Sequence, residues 1–211
     1  MWDKIFSLNI KGILLDLDDT LYSYAPAHQT ALQTWSQSAS QDLNISIEQA
    51  EKEYCIARRW FNIQLKDTGA SHSRLLYFKY ISEKYGLKVS KVLAWEKIYW
   101  DSFLNHMTLF PDVFPFLDKC LENKLQICLV TDLTTEIQLK KLEKLKIDHY
   151  FNYIVTSEES GQEKPKSLPF LLALYKLNLF PKDVVMIGDH QEKDILGAEL
   201  LGIRSYQTQF H

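Results

Sequence analysis

Gly12-Ile13-Leu14-Leu15-Asp16-Leu17-Asp18-Asp19-Thr20-Leu21 is the stretch that decides how this chain folds. A short run that is apolar on both faces leads straight into acids. That is the pattern of a buried parallel strand with chemistry at its carboxyl end. Two later stretches repeat the design: Ile127-Cys128-Leu129-Val130 enters Thr131, and Val184-Val185-Met186-Ile187 enters Gly188-Asp189. Residues 153–156 and 203–206 are weaker candidates for two more strands. Helical patterns lie between them. Asp112 is placed to cap a helix burying Val113, Phe116, Leu117, Cys120 and Leu121. Residues 135–146 repeat Ile137, Leu142 and Leu145 among lysines, 168–179 are strongly apolar, and 194–201 stop at Gly202. Alternating strands and helices predict an α/β fold with a doubly wound, Rossmann-like parallel sheet.

Residues 22–108 read differently. They contain no convincing strand, and four of the five tryptophans (Trp35, Trp60, Trp95, Trp100) lie here. Pro26 suits the first turn of a helix carrying Ala27, Ala31, Trp35 and Ala39. Ser46 and Gln49 form a capping box before the stripe Ile47, Ala50, Tyr54, Ala57, Phe61. A third helix is predicted over 73–85, closed by Gly86, and a fourth from Ser90 through Val92, Trp95, Tyr99 and Phe103. The expected organisation is a core from residues 1–21 and 109–211, interrupted by a helical cap at 22–108 whose tryptophans form its core.

With 211 residues, 46% hydrophobic and 13% aromatic, the chain can bury a large core, which excludes disorder. A formal charge of −3 gives no basic surplus, so neither nucleic acid nor a membrane surface is the expected partner. Cys55, Cys120 and Cys128 contain no Cys-x-x-Cys pair, so they read as buried thiols rather than a disulfide framework or zinc site. No secretory or spanning apolar stretch is visible, and a cytoplasmic monomer or homodimer is expected.

Ligands of open α/β sheets gather beyond the carboxyl ends of the strands, where Asp16, Asp18, Thr131 and Asp189 fall. Asp16 and Asp18, two apart in extended chain, point to the same side. Crowded carboxylates repel, and a hard divalent cation with oxygen ligands resolves the conflict; magnesium suits few carboxylates plus a phosphate. An EF-hand is excluded, because Leu21 occupies the glycine position and Ala27 the bidentate acid position. A phosphoaccepting receiver domain also has acids, a Thr and a Lys on a parallel sheet, but it fits neither the length nor the insertion.

The motifs in order resemble those of the haloacid dehalogenase (HAD) superfamily, in the branch with a helical cap inserted after the first motif. Asp16-Leu17-Asp18-Asp19-Thr20 is similar to its first motif, Thr131 to its second, Gly161-Gln162-Glu163-Lys164-Pro165 with Phe170 to its third, and Gly188-Asp189 through Asp194 with Gly197-Ala198 to its fourth. Leu109 through Val113 resembles the re-entry into the core. Departures are Asp132 where many members carry Asn, Lys166-Ser167 after Lys-Pro, and His190 at a small polar position.

The resemblance implies a magnesium-dependent phosphatase that acts on a small phosphorylated metabolite through an aspartyl-phosphate. In that scheme Asp16 is the nucleophile. Asp18 is general acid and then base, with a raised pKa, and its carbonyl ligates the metal. Asp189 shares the metal with Asp16, and Asp194 orients metal-bound water or Lys164. Thr131 and Lys164 hold phosphoryl oxygens, while Asp19 and Thr20 build the turn. A phosphomutase is the alternative within the superfamily, and a catalytically silent scaffold is the alternative outside enzymes. A silent copy usually lacks the nucleophile or the lysine, and here both are present. In the cap, the polar segment from Asp67 to Arg74 reads either as a specificity loop, with His72 and Arg74 as candidate substrate contacts, or equally as a solvated linker in which Ser71 or Ser73 caps a helix.

Overall fold

The computed structural model describes residues 2–208 and 210. In chain order, α1 (Trp2–Phe6) precedes β1 (Gly12–Leu15), and four helices follow: α2 (Tyr24–Leu43), α3 (Ile47–Gln64), α4 (Arg74–Lys84) and α5 (Val89–Asn105). Then come α6 (Val113–Glu122), β2 (Gln126–Thr131), α7 (Thr135–Leu145), β3 (Tyr153–Thr156), α8 (Ser157–Ser160) and α9 (Ser167–Leu177). The chain finishes with β4 (Val184–Gly188), a π-helical turn at Gln191–Leu196 running into α10 (Gly197–Glu199), and β5 (Arg204–Gln207). The described residues form two compact units, one from residues up to 23 and from 108 onward, the other from 24 to 107. None of the described helices is long and apolar enough to cross a membrane.

The first unit is built on a five-stranded sheet of order β3-β2-β1-β4-β5, parallel throughout. β1 sits in the centre because both of its faces are apolar. Leu14, Cys128, Val130 and Met186 pack with Phe170, Ala173, Leu174 and Leu177 of α9 in one cluster. The alternating Ile13, Leu15, Ile127, Leu129, Val185 and Ile187 point to the opposite face and are fully buried. Leu15 pairs with Leu129 and Ile187, so the three strands run in register and end within two residues of one another at one edge. β5 covers residues 204–207, one later than the sequence predicts, since its half-exposed edge position weakens the pattern.

Two expectations about α6 fail. Asp112 occupies the cap position in helical conformation and makes no side-chain cap bond, and Leu121 is exposed. Leu121 falls outside the face buried by Val113, Phe116, Leu117 and Cys120. Cys55 is exposed rather than buried, while burial pushes the Cys120 and Cys128 thiols up to about 12.

The second unit is a four-helix block in which α2 packs on α5 and α3, and α4 on α3 and α5. Trp35 stacks on Phe78 at 4.9 Å and meets Trp95 edge-on at 5.8 Å. Trp60 departs from the expected core: it is 49% exposed and stacks on Tyr80 at the surface. Ser46 caps α3 by accepting from the Gln49 N–H, but the Gln49 side chain donates to Glu53, so only half of the capping box forms. Glu53 is buried because Lys84 and the Tyr85 hydroxyl also reach it.

Candidate active site

Asp16 follows the last residue of β1 and is fixed by its N–H bond to Ile187 O (3.0 Å), which sets its side chain at the middle of the sheet's carboxyl edge. Its Oδ1 accepts from Lys164 Nζ at 2.6 Å and its Oδ2 from the Thr20 hydroxyl at 2.8 Å. The Thr20 oxygen lies 3.2 Å from Asp189 Oδ1 and accepts from the Asp189 N–H at 3.1 Å. Thr20, expected only to build the turn, therefore ties two acids together.

Lys164 also donates to Asp194 Oδ1 at 2.6 Å, while Asp194 Oδ2 accepts from the His190 N–H at 3.0 Å. Carboxylate oxygens of Asp16, Asp189 and Asp194 all lie within 4.8 Å of one another. Burial pushes Asp16 up to about 8, with Lys164 pulling against it and Asp194 and Asp18 adding to it. Burial and then the charge of Asp194 raise Asp189 as well. Burial works against the charged form of Lys164, but Asp16, Asp194 and Asp132 outweigh it and keep the ammonium well above the lysine range.

Gly188 makes this packing possible. A Cβ there would stand 2.4 Å from the Asp194 carboxyl carbon. Gly188→Ala must displace Asp194 and with it Lys164, so kcat is expected to fall by about tenfold or more, with about 1–3 kcal/mol lost from stability by overpacking. Turnover and thermal unfolding of the purified variant check this.

Thr131 ends β2 and accepts from Gln138 Nε2 at 2.5 Å. The neighbouring Asp132 uses both oxygens as acceptors, from the Lys164 N–H (3.1 Å) and from Lys193 Nζ (2.9 Å). An asparagine would offer one acceptor there, so the acid has its own partner in Lys193. Leu133 has φ +103°, a strained value for a branched residue, held by the Ser157 hydroxyl, which accepts from its N–H at 2.8 Å.

The Asp18 carboxylate has a separate set of partners. Lys141 Nζ reaches its two oxygens at 2.6 and 2.8 Å, Gln138 Nε2 is at 3.1 Å, and the Tyr22 hydroxyl also donates to it. Burial raises the Asp18 pKa, but Lys141, Tyr22 and Gln138 together hold it below the usual carboxylate range. The raised pKa expected for an acid catalyst is therefore not found; a fully buried ammonium overrides desolvation. Sequence reading missed Lys141, Gln138 and Tyr22. A signal existed for Lys141: it stands four residues after Ile137 and four before Leu145, on the stripe that α7 buries.

In the helical unit the segment around His72 is a 3₁₀ turn, Gly69–His72, and Arg74 begins α4. Arg74 is not a loop residue as expected. It is 5% exposed and donates to the His72 carbonyl at 2.6 Å and to the Tyr24 hydroxyl.

The model of the haloacid dehalogenase-like hydrolase family matches residues 13–207. Ribulose-1,5-bisphosphate 5-phosphatase of Halopiger xanaduensis is 37% identical over 197 residues, 92% of this chain and 82% of that protein. Glyceraldehyde 3-phosphate phosphatase of Methanopyrus kandleri is 30% identical over 196 residues, with the same coverage of each chain. The crystal structure of an HAD phosphatase from Thermococcus onnurineus superposes with a TM-score of 0.74 at 22% identity, covering 94% of this chain and 86% of that one.

Proposed function

The chain belongs to the haloacid dehalogenase-like hydrolases, and from that premise we propose that it is a magnesium-dependent phosphatase acting on a phosphorylated sugar or a similar small polar metabolite. The observation that carries this reading is the convergence of Asp16, Lys164, Asp189, Asp194 and Thr20 at one strand edge. The phosphatase names of the two relatives support it, and both act on small sugar phosphates.

The donor set fits a hard cation. Three carboxylates lie together with one ammonium among them, which leaves negative charge over. Asp16, Asp189 and the Asp18 carbonyl would hold the ion, and Asp194 would steady the group from behind. When bound, magnesium neutralises charge on the phosphoryl oxygens.

The chain's own residues carry the steps. An Asp16 carboxylate oxygen attacks phosphorus, and the bond from phosphorus to the alcohol oxygen breaks. Asp18 delivers a proton to that leaving oxygen once substrate loosens the hold of Lys141, Tyr22 and Gln138, which keeps the carboxylate ionised here. Lys164 and the Thr131 hydroxyl hold the phosphoryl oxygens as they gain charge. Water then attacks phosphorus, the bond to Asp16 breaks, and Asp18 takes the water's proton. Lys141 and Gln138 aim the Asp18 carboxylate for both transfers.

A panel of phosphorylated metabolites, with an aryl phosphate as a generic substrate, tests the reading. Hydrolysis is expected with magnesium, to be lost with chelator and to return when magnesium is added back. Magnesium should also raise the thermal unfolding temperature of the wild type, and less so for Asp189→Asn. Activity that survives chelation would contradict the metal assignment.

A further inference from the structure

Gln138 is fully enclosed on the buried face of α7, with Lys141 one turn further along. Its amide nitrogen lies 2.5 Å from Thr131 Oγ1, 2.6 Å from the Asp132 carbonyl oxygen and 3.1 Å from Asp18 Oδ2. A carbonyl and an ionised carboxylate only accept, so the nitrogen, not the amide oxygen, must face them. That leaves Oε1 buried without a hydrogen-bond partner. An orphaned buried acceptor is costly, so this amide is held in place by what its nitrogen does.

An amide nitrogen donates and accepts nothing, which settles the direction of its bond to Thr131. Gln138 donates, and the hydroxyl oxygen accepts. The Thr131 hydrogen is thereby kept off that side. Among the described residues, its acceptor is the Asp132 carbonyl at 3.4 Å, an oxygen that Gln138 already holds at 2.6 Å. A contact of that length is a weak hold. The hydroxyl keeps a hydrogen ready for an incoming oxygen.

We propose that Gln138 is a positioning residue for phosphoryl transfer and acts through Thr131. By donating to the hydroxyl oxygen, it fixes that hydroxyl as a donor to a phosphoryl oxygen. The inference rests on the phosphatase reading, in which Thr131 holds that oxygen. A donor already oriented needs no reorganisation as charge develops in the transition state, which is where such groups act most strongly. Gln138 also touches Asp18, so an effect on proton transfer is the rival route.

Gln138→Met keeps the length of the side chain and suits a helix, but removes the donor. Two substrates separate the routes, because kcat/KM reports only the steps up to the first that cannot reverse. Nitrophenyl phosphate releases a stable phenolate that needs no proton from Asp18, whereas an alkyl phosphate does need it. The variant is expected to lower kcat/KM by about tenfold on nitrophenyl phosphate and at least as much on the alkyl ester, less than the cost of losing such a donor outright. In a Thr131→Val background the same change should cost nitrophenyl phosphate less than about twofold, since residues that act through one another do not add.

Gln138→Leu controls for packing and serves as the second variant if methionine disturbs the fold. It differs from methionine in shape but equally lacks the donor, so the two should match within about twofold at a temperature where both are folded. A spacer role would separate them. An unchanged value on nitrophenyl phosphate beside a fall on the alkyl ester would assign Gln138 to Asp18 and overturn the proposal. Equal losses with and without the Thr131 hydroxyl would overturn it too, leaving the phosphatase reading intact. A wild type that hydrolyses neither ester sinks that reading and this inference with it.

Discussion

Asp16→Asn is expected to lower kcat for any phosphomonoester by at least about a thousandfold, the scale for removing a covalent nucleophile. The amide keeps the volume of the carboxylate and leaves an oxygen for Lys164, but it has no anionic oxygen with which to attack phosphorus. Folding should not suffer. Asp16, Asp189 and Asp194 crowd around a single ammonium, and burial already disfavours the charge on Asp16. Neutralising one of the three relieves repulsion, so the unfolding temperature of the variant should equal or exceed that of the wild type. A variant that is stable and inactive separates chemistry from structure. One that retains more than a tenth of wild-type turnover shows that Asp16 is not the nucleophile.

Lys164→Met should reduce kcat by about 10²–10³-fold, the cost of one lost donor to a transition-state oxyanion. The lysine is fully enclosed and bridges Asp16 and Asp194, so the variant also leaves those acids without their cation. The comparison with Lys166→Ala isolates the effect. Lys166 is exposed, two residues along the same segment, and its loss should change turnover by no more than about twofold, as for most surface substitutions. The opposite ranking, on proteins of equal stability, would place the phosphoryl-holding lysine at the wrong position in this loop.

Much of this was legible in the sequence because it rests on strong local signals. The runs ending at Leu15, Val130 and Ile187 are apolar on both faces, and only the middle of a covered parallel sheet satisfies that. The acids that follow them come together for the same reason, since parallel strands in register end at one edge. What escaped depends on partners distant in sequence. Gln138 and Lys141 sit on a helix whose lysines otherwise read as solvated, and nothing local says that Asp18 lies 120 and 123 residues away waiting for them.

The misplaced helix residues share a cause. Trp60 and Leu121 have the composition of core residues but fall on the outward side of their helices, and burial is decided by the face as well as the residue type. Asp112 and Gln49 carry the right groups for capping, yet one makes no cap bond and the other bonds to Glu53. The neighbours of Arg74 in sequence are loop-like, whereas α4 begins at Arg74 itself and aromatic rings pack around it.

The central claim is that Asp16 carries the phosphoryl group. Acid quenching during turnover, followed by borohydride reduction and peptide mass analysis, tests it most directly, because an acyl phosphate on an aspartate is reduced to homoserine. The account expects homoserine at position 16, formed only with substrate and magnesium present and absent from Asp16→Asn. Modification at another residue, or turnover that leaves position 16 as aspartate throughout, would contradict it.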